Sequence, residues 1–363
     1  MKYRKLGNSG LYVSELGFGS IFYGGAQWNA TDSPVSREEA LVCLRKAWDG
    51  GISHIDCADI YGGFGSAERI IGEFIRDYDR SEFVLTSKGF FPMSVSSNDR
   101  GLSKKHISEA INKSLERMNI DYLDIYYCHR YDYSTRLEET IRAMNDLIDK
   151  GKILYWGTSN WFAAQLERAW GIAKNLGLRG PVCDQAKYNL VMRFSGEYEL
   201  PYTAEYTGIG LVAYKVLADG LLTSRYEGKK IEDLSEKEIK AIIRYISNEY
   251  QEPQASKFEK ILKVSQIAQE LEVTLAQLAY AWVLRNPLVS SALMGTRYPE
   301  RIDENLEALE VCLTREILEQ IDEILDNRPF DLIQNGYMGE DYAFYKERIK
   351  TDPRAKIGKY PFD

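Results

Sequence analysis

The sequence predicts an α/β chain folded as a (β/α)8 TIM barrel, with an N-terminal β-hairpin, an insertion after the seventh strand and an irregular C-terminal tail. Three observations carry this. From Leu16 onward, short apolar runs alternate regularly with helical segments, and eight such runs can be counted. Most of the eight lack polar alternation, the pattern of parallel strands buried on both faces. The chain has 363 residues, which accommodates the roughly 250 residues of a barrel plus insertions. Eight β-α units closing on themselves form one domain over 1–363; an open doubly wound sheet is the alternative.

The elements follow in order. Residues 2–6 and 11–13 flank the turn-forming Gly7-Asn8-Ser9-Gly10 and read as a hairpin. The first buried strand is Leu16-Gly17-Phe18-Gly19. A polar loop, 24–36, leads to a helix opened by Ser36 and closed by Gly50-Gly51. Strand 52–55 precedes helix 67–78, strand 83–87 precedes helix 104–118, and strand 122–128 precedes helix 138–149. Strand 152–156 precedes helix 161–175, strand 182–185 precedes a weaker helix near 196–206, and strand 209–214 is the seventh. Residues 227–257, rich in Lys and Glu, are expected to be a solvated insertion. Helices near 258–271 and 274–286 lead to the last strand, 288–294, and a helix from Pro299 to about Ala308. Residues 326–363 carry Phe330, Tyr337, Tyr342, Phe344, Tyr345, Tyr360 and Phe362 and read as a tail packed over the body.

Composition narrows the function classes. A net charge of −8 argues against a broad nucleic-acid-binding face, which requires a basic surface. No apolar run approaches the roughly 18 residues that span a bilayer, so no membrane partner is expected. Residues 1–7 lack the apolar core of a signal peptide. Five scattered cysteines (43, 57, 128, 183, 312) without a CxxC pair fit a reduced, cytoplasmic setting. Three histidines far apart in sequence offer no zinc site, and no metal is expected. No GxGxxG follows the first strand, so a Rossmann fingerprint is absent.

The candidate chemistry sits at strand ends. His54-Ile55-Asp56 ends on an acid, and Tyr61 follows five residues later in a Gly-rich turn. Lys88 ends the next strand and His129 the one after. In a parallel sheet these four converge on one rim. A lysine cation beside a phenol favours the phenolate, and a carboxylate keeps that lysine charged and oriented. His129 could orient a substrate carbonyl or assist proton relay. The set suits proton donation to a carbonyl oxygen while hydride arrives at carbon. Asp59 competes for any role given to Asp56, Tyr61 is one of 25 tyrosines, and a barrel hydrolase or lyase would use Asp56 and Lys88 differently. Ser159, Asn160 and Gln185 end further strands with polar side chains, and Tyr214 can stack a ring. After the last strand come Gly295-Thr296-Arg297, then Arg301, Glu304 and Asn305 on one helix face, which read either as a phosphate site or as a surface ion-paired helix. Phe22, Tyr23, Trp28, Phe90, Phe91 and Trp161 are the candidate walls of an apolar pocket.

These residues resemble the aldo-keto reductase superfamily. The matching pieces are Asp56-x4-Tyr61-Gly62, Thr86-Ser87-Lys88, Tyr127-Cys128-His129, Gly157-Thr158-Ser159-Asn160, Asp184-Gln185 and Arg301-x2-Glu304-Asn305, in order and spacing from residue 1 to about 325. The stretches 150–159 and Leu217-Ala218-x-Gly220-Leu221 are most similar to the branch of potassium-channel β-subunits and their microbial relatives. The resemblance implies an NAD(P)H-dependent reductase of aldehydes or ketones, with NADPH as the cofactor and NADH as the second option. Tyr61 would be the general acid, tuned by Asp56 and Lys88, with His129 orienting substrate. Ser159, Asn160 and Gln185 would hold the carboxamide and Tyr214 would stack on the nicotinamide. Lys215, Val216, Leu217, Ala218 and Gly220 would line the pyrophosphate through their backbone, with Arg225 reaching over it. Gly295, Arg297, Arg301, Glu304 and Asn305 would surround the adenosine end, and Gly19 and Ser20 would border the cofactor. The chain departs from the family in having Lys215-Val216 where many relatives have Ser-Pro, and Gly295 where some branches have lysine. Channel β-subunits lack a histidine at the place of His129, which favours turnover here over a cofactor-loaded regulatory subunit. Homo-oligomers are frequent in that branch.

Overall fold

In the computed structural model, which describes residues 1–24, 35–246 and 254–329, the chain closes into an eight-stranded parallel barrel. A two-stranded hairpin precedes it: β1 (Tyr3–Lys5) and β2 (Tyr12–Ser14) pair antiparallel, with Arg4 opposite Val13. The barrel strands are β3 (Leu16–Gly19), β4 (His54–Asp56), β5 (Val84–Gly89), β6 (Leu123–Cys128), β7 (Ile153–Ser159), β8 (Cys183–Lys187), β9 (Gly210–Tyr214) and β10 (Val289–Met294). Each pairs with its neighbours in chain order, and β10 closes on β3 through Leu293 opposite Gly17. The open doubly wound sheet is thereby excluded.

Strand period decides what each side chain meets. Outward positions pack under the helices in one large apolar cluster that includes Phe18, Ile55, Leu85, Tyr126 and Trp156. Inward positions, including Ile125, Tyr127, Cys183, Val212 and Leu293, fill the barrel itself, as expected of a packed interior rather than a pore. Gly157 makes room for this layer: a Cβ there would stand 2.7 Å from the Tyr127 ring and 2.8 Å from the Cys183 Sγ. The hairpin closes the bottom, because its Leu6 and Val13 join the inward cluster.

The outer layer begins with α1 (Arg37–Asp49), α3 (Ser66–Ile75), α4 (Lys104–Met118), α5 (Leu137–Asp149) and α6 (Ala163–Asn175), while the single turn α2 (Tyr61–Phe64), between β4 and α3, lies at the mouth. It continues with α7 (Leu200–Thr207), α8 (Glu236–Ile246), α9 (Gln254–Glu270), α10 (Leu275–Leu284), α11 (Glu300–Leu306) and α12 (Arg315–Leu325). Ser36 caps α1 reciprocally with Glu39, its hydroxyl accepting from the Glu39 N–H at 3.2 Å while the Glu39 carboxylate accepts from the Ser36 N–H at 2.8 Å. Ser103 and Thr274 cap α4 and α10 in the same way at their hydroxyls.

Several expectations need adjusting. The helix read at 67–78 ends at Ile75. The strand read at 152–156 runs on to Ser159. Residue α12 positions were not foreseen as a helix, although Thr314 caps it and Ile321 and Leu325 are buried. The insertion is not merely solvated: α8 buries Ile242, Tyr245 and Ile246 and lies against residues 218–220. Residues 247–253 of the insertion and 330–363 of the tail, with all its aromatics, lie outside the described residues, as does Trp28. Among the described residues no helix is long and apolar enough to cross a membrane.

Helices α3 and α4 approach closely at Gly72 of α3, where a Cβ would stand 2.3 Å from the Met118 carbonyl oxygen at the end of α4. Gly72→Ala should therefore lower stability by about 1–3 kcal/mol through overpacking, despite alanine's better helix propensity. Urea unfolding checks this, and an unchanged or higher midpoint would contradict the close α3–α4 packing.

Candidate active site at the barrel mouth

Parallel closure brings the carboxyl ends of all eight strands to one rim, and β4, β5 and β6 deliver their polar residues there side by side. The register sets Asp56 opposite Thr86 and Lys88 opposite Tyr127. Lys88 is fully buried, and its ammonium donates to both Asp56 oxygens at 2.7 and 2.6 Å. A third bond goes to the Cys57 carbonyl at 2.7 Å, and the Tyr61 Oη lies at 3.5 Å. Asp56 also accepts from Thr86 Oγ1 at 2.9 Å and from Gln185 Nε2 at 2.7 Å. A buried ion pair is tolerable only when its spare lone pairs and protons are satisfied in this manner.

Tyr61 enters from the turn after β4. Gly62 and Gly63 take φ of +68° and +78° inside this turn, and a Cβ on Gly62 would stand 1.9 Å from the Tyr23 carbonyl oxygen. The Tyr61 ring meets His129 edge-on at 5.9 Å, and Phe91 meets the other side of His129 at 4.8 Å. The four rim residues expected from the sequence therefore do come together.

Their electrostatics differ from expectation in one respect. The Tyr61 phenol stands well above its ordinary pKa of 10.0, first because it is buried and next because the Asp56 carboxylate opposes a phenolate. Lys88 was expected to make this phenol acidic. With both Asp56 oxygens within 2.7 Å of it, the ammonium leaves little positive charge to favour phenolate. Burial, reinforced by Lys88 and Arg130, holds His129 well below 6.5, so its imidazole is neutral. Asp59 does not share the Lys88 ion pair. Its two carboxylate oxygens are buried without a partner among the described residues, and burial followed by Glu68 pushes its pKa well above 3.8. Only its N–H reaches the site, donating to the Lys88 carbonyl at 3.1 Å.

The second group of residues lines the rest of the rim. Tyr214 Oη donates to Asn160 Oδ1 at 3.0 Å, and Asn160 Nδ2 donates to Ser159 Oγ at 2.8 Å. Gln185 turns to Asp56 rather than to this pair. Gly19 and Gly295 face one another across the β3–β10 seam, since a Cβ on Gly295 would stand 3.2 Å from the Gly19 carbonyl oxygen. Ser20 ties the seam to β4, its N–H and hydroxyl both donating to the Asp56 carbonyl at 3.0 and 2.9 Å.

Beyond Tyr214 the chain makes a tight turn. Lys215, Ala218 and Asp219 take φ of +59°, +47° and +56°, and Gly220 takes +95°. Such left-handed runs cost about 1–2 kcal/mol per non-glycine residue and gather at functional sites. The Lys215 ammonium pairs with Asp219, and Asn189 Nδ2 donates to the Lys215 carbonyl at 2.8 Å. Val216 and Ala218 bury their side chains, while Lys215, Leu217 and Asp219 stay partly exposed. Arg225 lies over it, its Nη1 only 3.3 Å from a Cβ built on Gly220. Further round, Arg301 pairs with Glu304 on an exposed face, the surface-helix alternative, whereas Arg297 is half-buried and Asn305 buried.

Of the expected pocket walls, Phe22, Phe90 and Phe91 sit partly exposed near the site. Tyr23 and Trp161 instead pack in the core at 1% and 3% exposure. Two side chains at the mouth were missed. Thr86 orients Asp56 as described. Arg130 donates from Nη1 to the His129 carbonyl at 2.6 Å and to Ser159 Oγ at 3.3 Å. Its only sequence signal was a cation one residue beyond a strand-end histidine. Two clefts of ≈ 590 and ≈ 600 Å³ lie at the opposite end of the barrel, around Asn8 and Gly208, and none of the rim residues lines them.

Comparison with known proteins gives a consistent result. The model of the Aldo/keto reductase family matches residues 20–326. A probable voltage-gated potassium channel subunit beta of Arabidopsis thaliana is 40% identical over 334 residues, 91% of this chain and 98% of that protein. A protein of the same description from Oryza sativa subsp. japonica is 39% identical over the same shares. A putative voltage-gated potassium channel subunit beta of Schizosaccharomyces pombe is 37% identical over 342 residues, 91% and 95% of the two chains.

Beside the rim, buried Asp184 has its pKa raised to about 7, first by burial, although Oδ1 accepts from Thr158 Oγ1 at 2.7 Å and from the Trp161 N–H at 3.3 Å. A carboxyl whose folded pKa exceeds its unfolded value of about 3.9 loses stabilisation as pH rises between the two, at about 1.4 kcal/mol per unit. Asp184→Asn keeps both hydrogen bonds and removes the ionisation. Its Tm should exceed that of the parent at pH 8 and the gap should shrink toward pH 5; a constant gap in melts across that range would refute the assignment.

Proposed function

The chain belongs to the aldo/keto reductase family, and from that premise we propose that it reduces aldehydes or ketones to alcohols with a nicotinamide cofactor, NADPH before NADH. The observation that carries the reading is the Lys88 ammonium, held between Asp56 and Tyr61 in the barrel mouth with the edge of His129 beside the phenol. Such a cluster is costly to bury and is used where a proton must be delivered away from bulk water.

The residues present fit a nicotinamide cofactor. Asn160 and Ser159 offer amide and hydroxyl groups that match a carboxamide, with Tyr214 beside them for stacking. The side-chain-free approach at Gly19 and Gly295 and the exposed backbone of the turn at 215–220 suit a diphosphate passing close to the chain. Arg225, Arg297 and Arg301 supply positive charge along that path, Arg301 after release from Glu304. The reduced cofactor, when bound, supplies the hydride.

This chain's own residues manage the proton. Tyr61 Oη is a neutral phenol and donates its proton to the carbonyl oxygen as negative charge develops there. A high pKa serves this, because the phenol stays protonated across physiological pH and the acceptor becomes a strongly basic alkoxide. The Lys88 ammonium donates to the phenolic oxygen at 3.5 Å and so leaves the phenol's own proton directed at the substrate. Asp56 fixes Lys88, and Thr86 and Gln185 fix Asp56. His129, neutral and buried, orients the carbonyl from the other side.

A second reading follows from the relatives, which are named channel β-subunits: a cofactor-binding regulatory subunit with little turnover. Under it the chain binds NADPH and reduces none of a broad aldehyde panel.

Tyr61→Phe should cut kcat by about 10²–10⁴, the usual worth of a general acid, while NADPH affinity from fluorescence titration stays nearly unchanged; retained turnover would end the reductase mechanism. With saturating cofactor, kcat/KM should be flat from pH 6.5 to about 9, because His129 is already neutral above its lowered pKa and Tyr61 keeps its proton below its raised one. An inflection near pH 6.5 would show His129 ionising in the free enzyme and overturn that assignment.

A further inference from the structure

We infer that Arg130 recognises a carboxylate on the substrate, so that oxo acids and carboxylated aldehydes are the preferred carbonyl compounds. The inference rests on the reductase reading and adds a substrate class to it.

Arg130 is partly buried at the mouth, and no carboxylate among the described residues pairs with it. Five other partly or wholly buried arginines each have one: Arg4 with Glu15, Arg80 with Asp124, Arg117 with Glu68, and Arg193 and Arg285 with Glu197. A half-desolvated guanidinium for which the described residues supply no counter-charge is costly, and an incoming anion relieves the cost.

Its position is fixed in advance. Nη1 is held by the His129 carbonyl and Ser159 Oγ, and the guanidinium carbon lies 5.6 Å from the centre of the Phe91 ring. Phe91 in turn packs on His129, and His129 on Tyr61. A charged fork, an apolar ring, an imidazole and the proton-donating phenol are thus contiguous. A substrate with its carbonyl at Tyr61 and His129 can lay its body on Phe91 and reach the fork with a carboxylate. The planar guanidinium suits that group because two parallel N–H donors match its two oxygens.

The cofactor does not account for this cation. Under the proposed reading its phosphates lie along 215–225 and 297–305, and the end beside Ser159 is a neutral carboxamide. Hydride goes to the carbonyl carbon and the Tyr61 proton to its oxygen; the carboxylate takes no part in bond making and only positions the substrate.

A matched pair of substrates tests this: 4-carboxybenzaldehyde and its methyl ester, which share one skeleton and differ by one charge, the ester being intrinsically the more electrophilic aldehyde. The acid should be reduced with kcat/KM about ten-fold or more above the ester, the order expected for a charge-assisted pair. Arg130→Met should collapse that ratio to about one or below, and Arg130→Lys should restore part of it, with thermal unfolding confirming that both variants fold. A parent ratio of one or less, or a ratio that Arg130→Met leaves unchanged, overturns the inference while leaving the reductase reading intact. If neither these two nor any of a broad aldehyde panel is reduced, the reductase reading fails. Fluorescence titration with benzoate against benzamide then decides the inference separately, with benzoate binding lost in Arg130→Met supporting it and equal binding to both proteins overturning it.

Discussion

The pairing of Lys88 with Asp56 is the constraint on which the rest of the mouth depends. Both groups are removed from water, and either left alone would carry an uncompensated buried charge costing about 3–5 kcal/mol. Their neighbours are arranged accordingly: Thr86, Gln185 and the Cys57 carbonyl use up the remaining donors and acceptors. The same pair fixes the phenol, because among the described residues the one further hydrogen-bond partner of the ammonium is Tyr61. Neutralising Lys88 in this way also explains why the phenol remains protonated. Burial and the Asp56 carboxylate set the proton affinity of the phenol, and the Lys88 ammonium holds its oxygen in place.

A second buried network holds β5 from the outside. Ser87 is next to Lys88 and so points to the opposite face of the strand. Its hydroxyl donates to Glu68 Oε1 at 2.5 Å, and Arg117 Nε donates to Glu68 Oε2 at 2.5 Å. Helices α3 and α4 are thereby fastened to the strand that carries the ammonium. On the far rim, α8 lies against residues 218–220, where backbone strain is concentrated. The turn is held by surrounding packing and by Asn189, since its dihedral angles are unfavourable for non-glycine side chains.

The barrel and its four central side chains were legible because both depend on short-range patterns. Apolar runs without alternation specify strands buried on both faces, and a polar residue closing such a run must lie at a rim. Asp56, Lys88 and His129 were visible on that ground, and Tyr61 by its distance from Asp56. Less legible was α12, since its buried face, Ile321 and Leu325, is defined by the helix it packs against, α9. Tyr23 and Trp161 were expected at the pocket and are in the core, because an aromatic near a strand end has no local feature that says which way it faces.

By itself the sequence determined the eight β-α units, their order and the identity of the groups at the strand ends, since these follow from hydrophobic period and turn chemistry along the chain. Tertiary structure decided the electrostatics. Whether Asp56 or Asp59 takes the lysine, and whether Gln185 turns to a carboxylate, are settled by residues 29 to 129 positions apart. Burial and distance set proton affinity, and neither exists until the barrel has closed.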